Sequence, residues 1–219
     1  MIKEMKINIH VSVIDFKYLD DFIEALANVG HEYYLCHDSS DTNSIKYMER
    51  VFAYEFYHQY RKIMEQHPCR YNGLYLGGEQ IKITGFENHV LKMTPDIVLH
   101  GSFNKDCTGY ENQKWLCEIK TKSNSLKYSD LDKLASCPVQ QLGFDALIFL
   151  YIGGHWKSFQ NGVKRWAVAF SDKNDGNTVA DKIICICSNR TKDSLEIHAI
   201  RLGEILDKIN DKKRLKVKG

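Results

Sequence analysis

Between residues 6 and 13 apolar and polar side chains alternate strictly, with Ile7, Ile9, Val11 and Val13 on one side. That period of two predicts a half-buried strand. Asp15 then has the character of an N-cap, and Leu19, Phe22, Ile23 and Leu26 recur at helical spacing up to Gly30. After a polar stretch at 37–43, Ile45, Met48, Phe52, Phe56 and Ile63 form one apolar stripe. This stripe predicts a helix from about Ser44 to Gln66, closed by Pro68. Residues 73–83, with Gly73, Gly77 and Gly78, read as a strand or hairpin, and Asp96–His100 as a strand entered through Pro95. A loop is expected over 101–113, a strand over 114–121 and a helix over 129–142. The unbroken apolar run Ala146–Ile152 predicts a strand covered on both faces. Three more strands are expected at 163–170, 182–188 and 194–200, then a helix over 201–211.

Composition narrows the class. The chain of 219 residues is 43% hydrophobic and 26% charged, which excludes general disorder. The formal net charge of +2 announces no nucleic-acid or membrane partner by itself. Positive charge gathers in Lys212-Lys-Arg-Leu-Lys-Val-Lys218, which adds salt-sensitive phosphate affinity at most. No apolar run has the length of a membrane span. Residues Met1–His10 lack the apolar centre of a signal peptide, and the seven cysteines form no CxxC pair. They predict reduced thiols in a cytoplasmic protein. Cys185 and Cys187 share a strand face, but two thiols make half a zinc site at best.

The chemistry lies in Thr94-Pro-Asp-Ile-Val-Leu-His100 and Trp115-Leu-Cys-Glu-Ile-Lys120. Glu118 and Lys120, two apart in a strand, point to one face together with Leu116, while Trp115, Cys117 and Ile119 point to the other. Carboxylates on adjacent strands are hard oxygen donors of the kind that hold Mg²⁺ against a substrate phosphate. A lysine beside them can orient an attacking water and neutralise phosphate charge.

Pro95-Asp96 followed by Glu118-Ile119-Lys120 resembles the PD-(D/E)XK nuclease superfamily. Over about 44–152 the expected order of elements also resembles its αβββαβ core. The resemblance implies an α/β, restriction-endonuclease-like fold with a mixed central sheet, and Mg²⁺- or Mn²⁺-dependent hydrolysis of DNA, with RNA left open. It implies Asp96, Glu118 and the Ile119 carbonyl as metal ligands and Lys120 as catalytic base or electrostatic partner. A further glutamate is expected from the first core helix. The helical wheel leaves Glu49 and Glu55 both open, and the resemblance prefers Glu55. Gln140 or Gln141 on the second core helix, and Lys122, are candidates for nucleic-acid contact.

One domain over 1–219 is expected, with extensions at 1–43 and 153–211 and a basic tail at 212–219. A homodimer fits an enzyme that cuts two strands. The competing reading is a non-catalytic nucleic-acid-binding or assembly subunit on the same fold.

Overall fold

The computed structural model describes residues 5–38, 41–46, 48–78, 82–83, 92–101, 113–122, 129–135, 143–171 and 179–217. The chain is mixed α/β. In order it forms β1 (Lys6–Val11), α1 (Leu19–Asn28), α2 (His31–Tyr34), β2 (Cys36–Asp38), β3 (Asp41–Lys46) and α3 (Glu49–Gln66). Next come β4 (Leu74–Gly78), β5 (Lys82–Ile83), β6 (Lys92–Met93), β7 (Ile97–Gly101), β8 (Gln113–Thr121) and α4 (Ser129–Leu134). The chain continues through β9 (Ala146–Ile152), α5 (Trp156–Ser171), β10 (Ile183–Arg190), β11 (Ser194–Arg201) and α6 (Leu202–Val217).

Seven strands make one mixed sheet in the order β1-β11-β10-β9-β8-β7-β4, and β2/β3 and β5/β6 are separate ladders. Strand β4 is antiparallel to β7 and β7 to β8, whereas β9 lies parallel to β8. The last pairing requires a crossover, and α4 lies on that connection.

Helices cover both faces. On one, α1 and α3 set Phe22, Phe52, Phe56 and Tyr60 against Trp115, Cys117, Ile119 and Ile148. On the other, Leu131 and Leu134 of α4 and Phe159 and Val163 of α5 lie over Leu116, Leu147 and Phe149. Strand β9 sits between these layers and all seven of its residues are buried, which its unbroken apolar run requires. A buried polar chain fixes α3. The Trp115 indole N–H donates to Tyr60 Oη at 3.2 Å, Tyr60 shares a 3.0 Å hydrogen bond with Tyr71, and the Tyr71 hydroxyl donates to Asp21. Asp21 in turn pairs with Arg70 at 3.0 Å. Strand β8, helix α3 and helix α1 are thereby tied through satisfied polar groups.

Several expectations need correction. Residues 163–170 are helical within α5, because Phe159, Val163, Trp166 and Ala167 follow three- and four-residue steps into one core. Residues 44–46 belong to β3, so the helix expected from Ser44 begins at Glu49. Asp15 does not cap α1, which starts at Leu19 behind Tyr18 without a side-chain cap. Strand β1 is not half buried. It is an outermost strand, and Ile7 remains 52% exposed because α1 packs over the neighbouring Leu195 and Ile197 instead. Residues 102–112, most of the expected 101–113 loop, and 136–142 of the expected second core helix lie outside the described residues.

Candidate functional site

The β7–β8 register pairs Ile97 with Cys117 and Val98 with Leu116. Continued by one residue, it sets Asp96 opposite Glu118. The ladder stops there, and the Asp96 carboxylate takes over its role: Oδ2 accepts the Ile119 backbone N–H at 2.6 Å. The same residue therefore caps the strand and brings an acid beside Glu118. Parity does the rest. Glu118 and Lys120 follow Leu116, whose side chain belongs to the α4 face, while Ile119 turns into the α3 face.

Glu118 is 2% exposed. Burial, then the neighbouring Asp96 carboxylate, pushes its carboxyl up to about 8, well above the usual carboxylate range. Burial also raises Asp96, and Glu49 with it. Two lysines interleave with these acids. Lys120 Nζ lies 3.2 Å from Glu49 Oε1 and 3.5 Å from Asp130 Oδ2. Lys133 Nζ lies 2.7 Å from Asp130 Oδ1 and 4.0 Å from Glu118 Oε2. Burial alone would lower Lys120, but the charges of Glu49 and Asp130 outweigh it and hold the ammonium protonated. Lys133 is raised first by its hydrogen bond to Asp130.

Glu49 comes from the first turn of α3 and Asp130 from the first turn of α4, helices on opposite faces of the sheet. They meet at the end of β8, where Lys120 leaves the core. Four carboxyl groups and two ammonium groups share this place. Fully ionised, the set carries two uncompensated negative charges. Two of its oxygens, Glu118 Oε1 and Glu49 Oε2, are buried and find no hydrogen-bond partner among the described residues.

Asp96 and Glu49 also line a cavity of about 300 Å³, with Arg50, Tyr54 and Tyr57 of α3 and Gly78 of β4 among its other walls. Tyr57 is fixed there by donating its hydroxyl to the Leu76 carbonyl at 3.0 Å.

The structure places Asp96, Glu118 and Lys120 near one another at the end of β8. It brings Glu49 to Lys120, whereas Glu55 is paired with Gln59 along α3. The Ile119 side chain is core. Lys122 is exposed at the turn after β8, with its N–H bonded to the Ile152 carbonyl. Gln140, Gln141 and Lys127 lie outside the described residues. Asp130 and Lys133 were not read as site residues. Their i,i+3 pairing resembles an exposed helix pair, and only the 3% exposure of Asp130 marks it as buried. Cys185 and Cys187 sit in the core, where burial pushes both thiols up to about 12.

As donors, the carboxyl oxygens are of the hard type that suits a divalent cation. Among the described residues, no group of three or more His, Cys, Asp or Glu is arranged to hold a metal ion. No described helix is long and apolar enough to cross a membrane. Compared with known proteins, the chain matches no family model, no curated protein and no solved structure.

Proposed function

We propose that the chain is a Mg²⁺- or Mn²⁺-dependent nuclease that hydrolyses DNA phosphodiester bonds at a PD-(D/E)XK-type site. The observation that carries this reading is the buried Asp96–Glu118 pair interleaved with Lys120 and Lys133, in which Glu118 Oε1 and Glu49 Oε2 find no hydrogen-bond partner among the described residues. Buried acceptors without partners are costly and call for a ligand. A divalent cation beside Glu118 would take the place of its proton and offset the charge released. The order α3–β4–β7–β8–α4–β9 supports the reading as well. It has three antiparallel strands and a fourth parallel to the third, which resembles the superfamily core.

On this reading Asp96 and Glu118 hold the ion, with Glu49 as the helix acid. When bound, the cation supplies an activated water and offsets charge developing on phosphorus. Lys120 acts as an ammonium, because Glu49 and Asp130 keep Nζ protonated. It steadies a phosphate oxygen and the incoming water; the water's proton passes to solvent, and the leaving oxygen takes one up from solvent. Asp130 and Lys133 hold the opposite flank.

The test is cleavage of single- and double-stranded DNA in Mg²⁺ and Mn²⁺. The wild-type chain is compared with Asp96→Ala, Glu118→Ala and Lys120→Ala, each checked for folding by circular dichroism. Loss of at least ~10³-fold in each folded variant is expected. Undiminished cleavage by Asp96→Ala would reject the assignment. Tight Mn²⁺ binding without cleavage of any nucleic acid would favour the non-catalytic subunit.

A further inference from the structure

Helix α3 carries two stripes. Phe52, Phe56, Tyr60 and Ile63 are fully packed into the core. Arg50, Ala53, Tyr54 and Tyr57 recur at the same helical spacing on the flank that walls the cavity. Tyr54 stands out among the aromatic residues of this helix: it is 62% exposed, where Phe52, Phe56 and Tyr60 are fully buried. An aromatic ring held in water beside an acidic cluster contributes nothing to the core.

Gly78, the last residue of β4, also lines the cavity. Among the described residues, a Cβ built there would meet the Asp96 carbonyl oxygen alone, at 3.7 Å, which is ordinary contact. Backbone packing therefore does not demand glycine at 78. Its lack of a side chain leaves the cavity open, as strand glycines do where a ligand approaches. The volume of about 300 Å³ is at the small end of ligand sites and suits one flat ring system with its sugar, not a base pair. Glu49 and Asp96 belong to both the cavity and the acidic cluster, so whatever enters lies within one nucleotide of a phosphate held there.

We infer that this cavity receives a single unpaired nucleobase, stacked on Tyr54, next to the phosphate at the acidic site. The substrate class is then single-stranded nucleic acid, or an unpaired flap or end. The inference rests on the nuclease reading for the position of the phosphate, but not for the binding itself. A base inside an intact duplex has both faces covered and would have to leave its stack to reach Tyr54. An unpaired base offers its face at no such cost.

The test is fluorescence anisotropy of a labelled single-stranded 12-mer and of its duplex, in EDTA so that no cleavage intervenes. The proteins are the full chain and its Tyr54→Ala, Tyr54→Phe and Gly78→Leu variants. Single-strand affinity should fall about 10- to 100-fold in Tyr54→Ala, the span of one lost base stack. It should survive in Tyr54→Phe, which keeps the ring, and fall again in Gly78→Leu, which fills the cavity. Duplex affinity should stay within about twofold throughout. Unchanged single-strand binding in Tyr54→Ala and Gly78→Leu would overturn the inference. So would equal losses for both substrates, or no binding of single strands by the wild-type chain. Cleavage assays separate this outcome from the parent reading. Metal-dependent cleavage indifferent to Tyr54 and Gly78 removes the base pocket and keeps the nuclease. Tyr54-dependent binding with no cleavage does the reverse.

Discussion

Glu118 concentrates the electrostatic cost of the fold in one residue. Its carboxyl is raised from an ordinary value of 4.5 to about 8 by burial and by Asp96, so the folded chain holds a proton there that the unfolded chain releases. Between those limits the native state binds more protons than the unfolded state, and stability must fall as pH rises. The contribution is complete below about pH 4.5 and is lost progressively towards about pH 8. Glu118→Gln keeps the shape without the ionisation. It should therefore melt higher than wild type at pH 8, by about 2–4 °C for each kcal/mol relieved in a chain of this length, and match it at pH 5. Calorimetric scans of both proteins across pH 5–8 give the result directly. A wild-type melting temperature that rose over this interval, with no difference between the two proteins at pH 8, would mean that Glu118 is not held protonated by the fold.

At the scale of elements, α3 decides which acid serves the site. At about 100° per residue, Glu49 and Glu55 fall on opposite flanks of the Phe52–Phe56–Tyr60–Ile63 stripe. The wheel says that both are available and nothing about which flank meets the end of β8. That depends on how the Trp115–Tyr60–Tyr71 hydrogen bonds seat the helix, a long-range matter that no local pattern carries. The consequence is measurable. Glu49→Gln should weaken Mn²⁺ binding and cleavage by at least about tenfold, whereas Glu55→Gln should leave both unchanged. Isothermal titration and the DNA assay distinguish them, and the reverse ranking would place the helix acid at Glu55. In the same helix Phe56→Ala should cost about 3–5 kcal/mol in urea unfolding, and exposed Tyr54→Ala less than about 0.5 kcal/mol. The strand parity of Glu118 and Lys120 was legible because a period of two fixes a face whatever lies beyond it. The helical nature of 163–170 was not. Residues 166–170 are an unbroken apolar run, as in a short buried strand, and only the longer run from Phe159 to Phe170 reveals the three- and four-residue steps. Asp130 was hidden for another reason, since an acid in the first turn of a short helix is ordinary until packing closes over it.

Over the whole molecule, the acidic cluster is the point at which both helical layers meet the sheet. Glu49 descends from the α1/α3 layer, Asp130 from the α4/α5/α6 layer, and Asp96 and Glu118 belong to the sheet between them. A divalent cation taken up there would bind the folded arrangement and not the unfolded chain, in which these acids are scattered over eighty residues of sequence. Mass action then requires stabilisation of about 2.7 kcal/mol at a Mn²⁺ concentration one hundred times the dissociation constant. For a chain of this size that is about 5–11 °C in melting temperature. Because Glu118 must lose its proton to become a ligand, uptake releases protons and the gain should be larger at pH 8 than at pH 6. Glu118→Gln removes a ligand and the proton together, so its melting temperature should respond weakly to Mn²⁺ and equally at both pH values. Melting curves of the two proteins, with and without Mn²⁺ at each pH, test cation binding separately from catalysis. A wild-type melting temperature indifferent to Mn²⁺ would mean that Lys120 and Lys133 already complete the cluster, and that its buried acids serve the architecture alone.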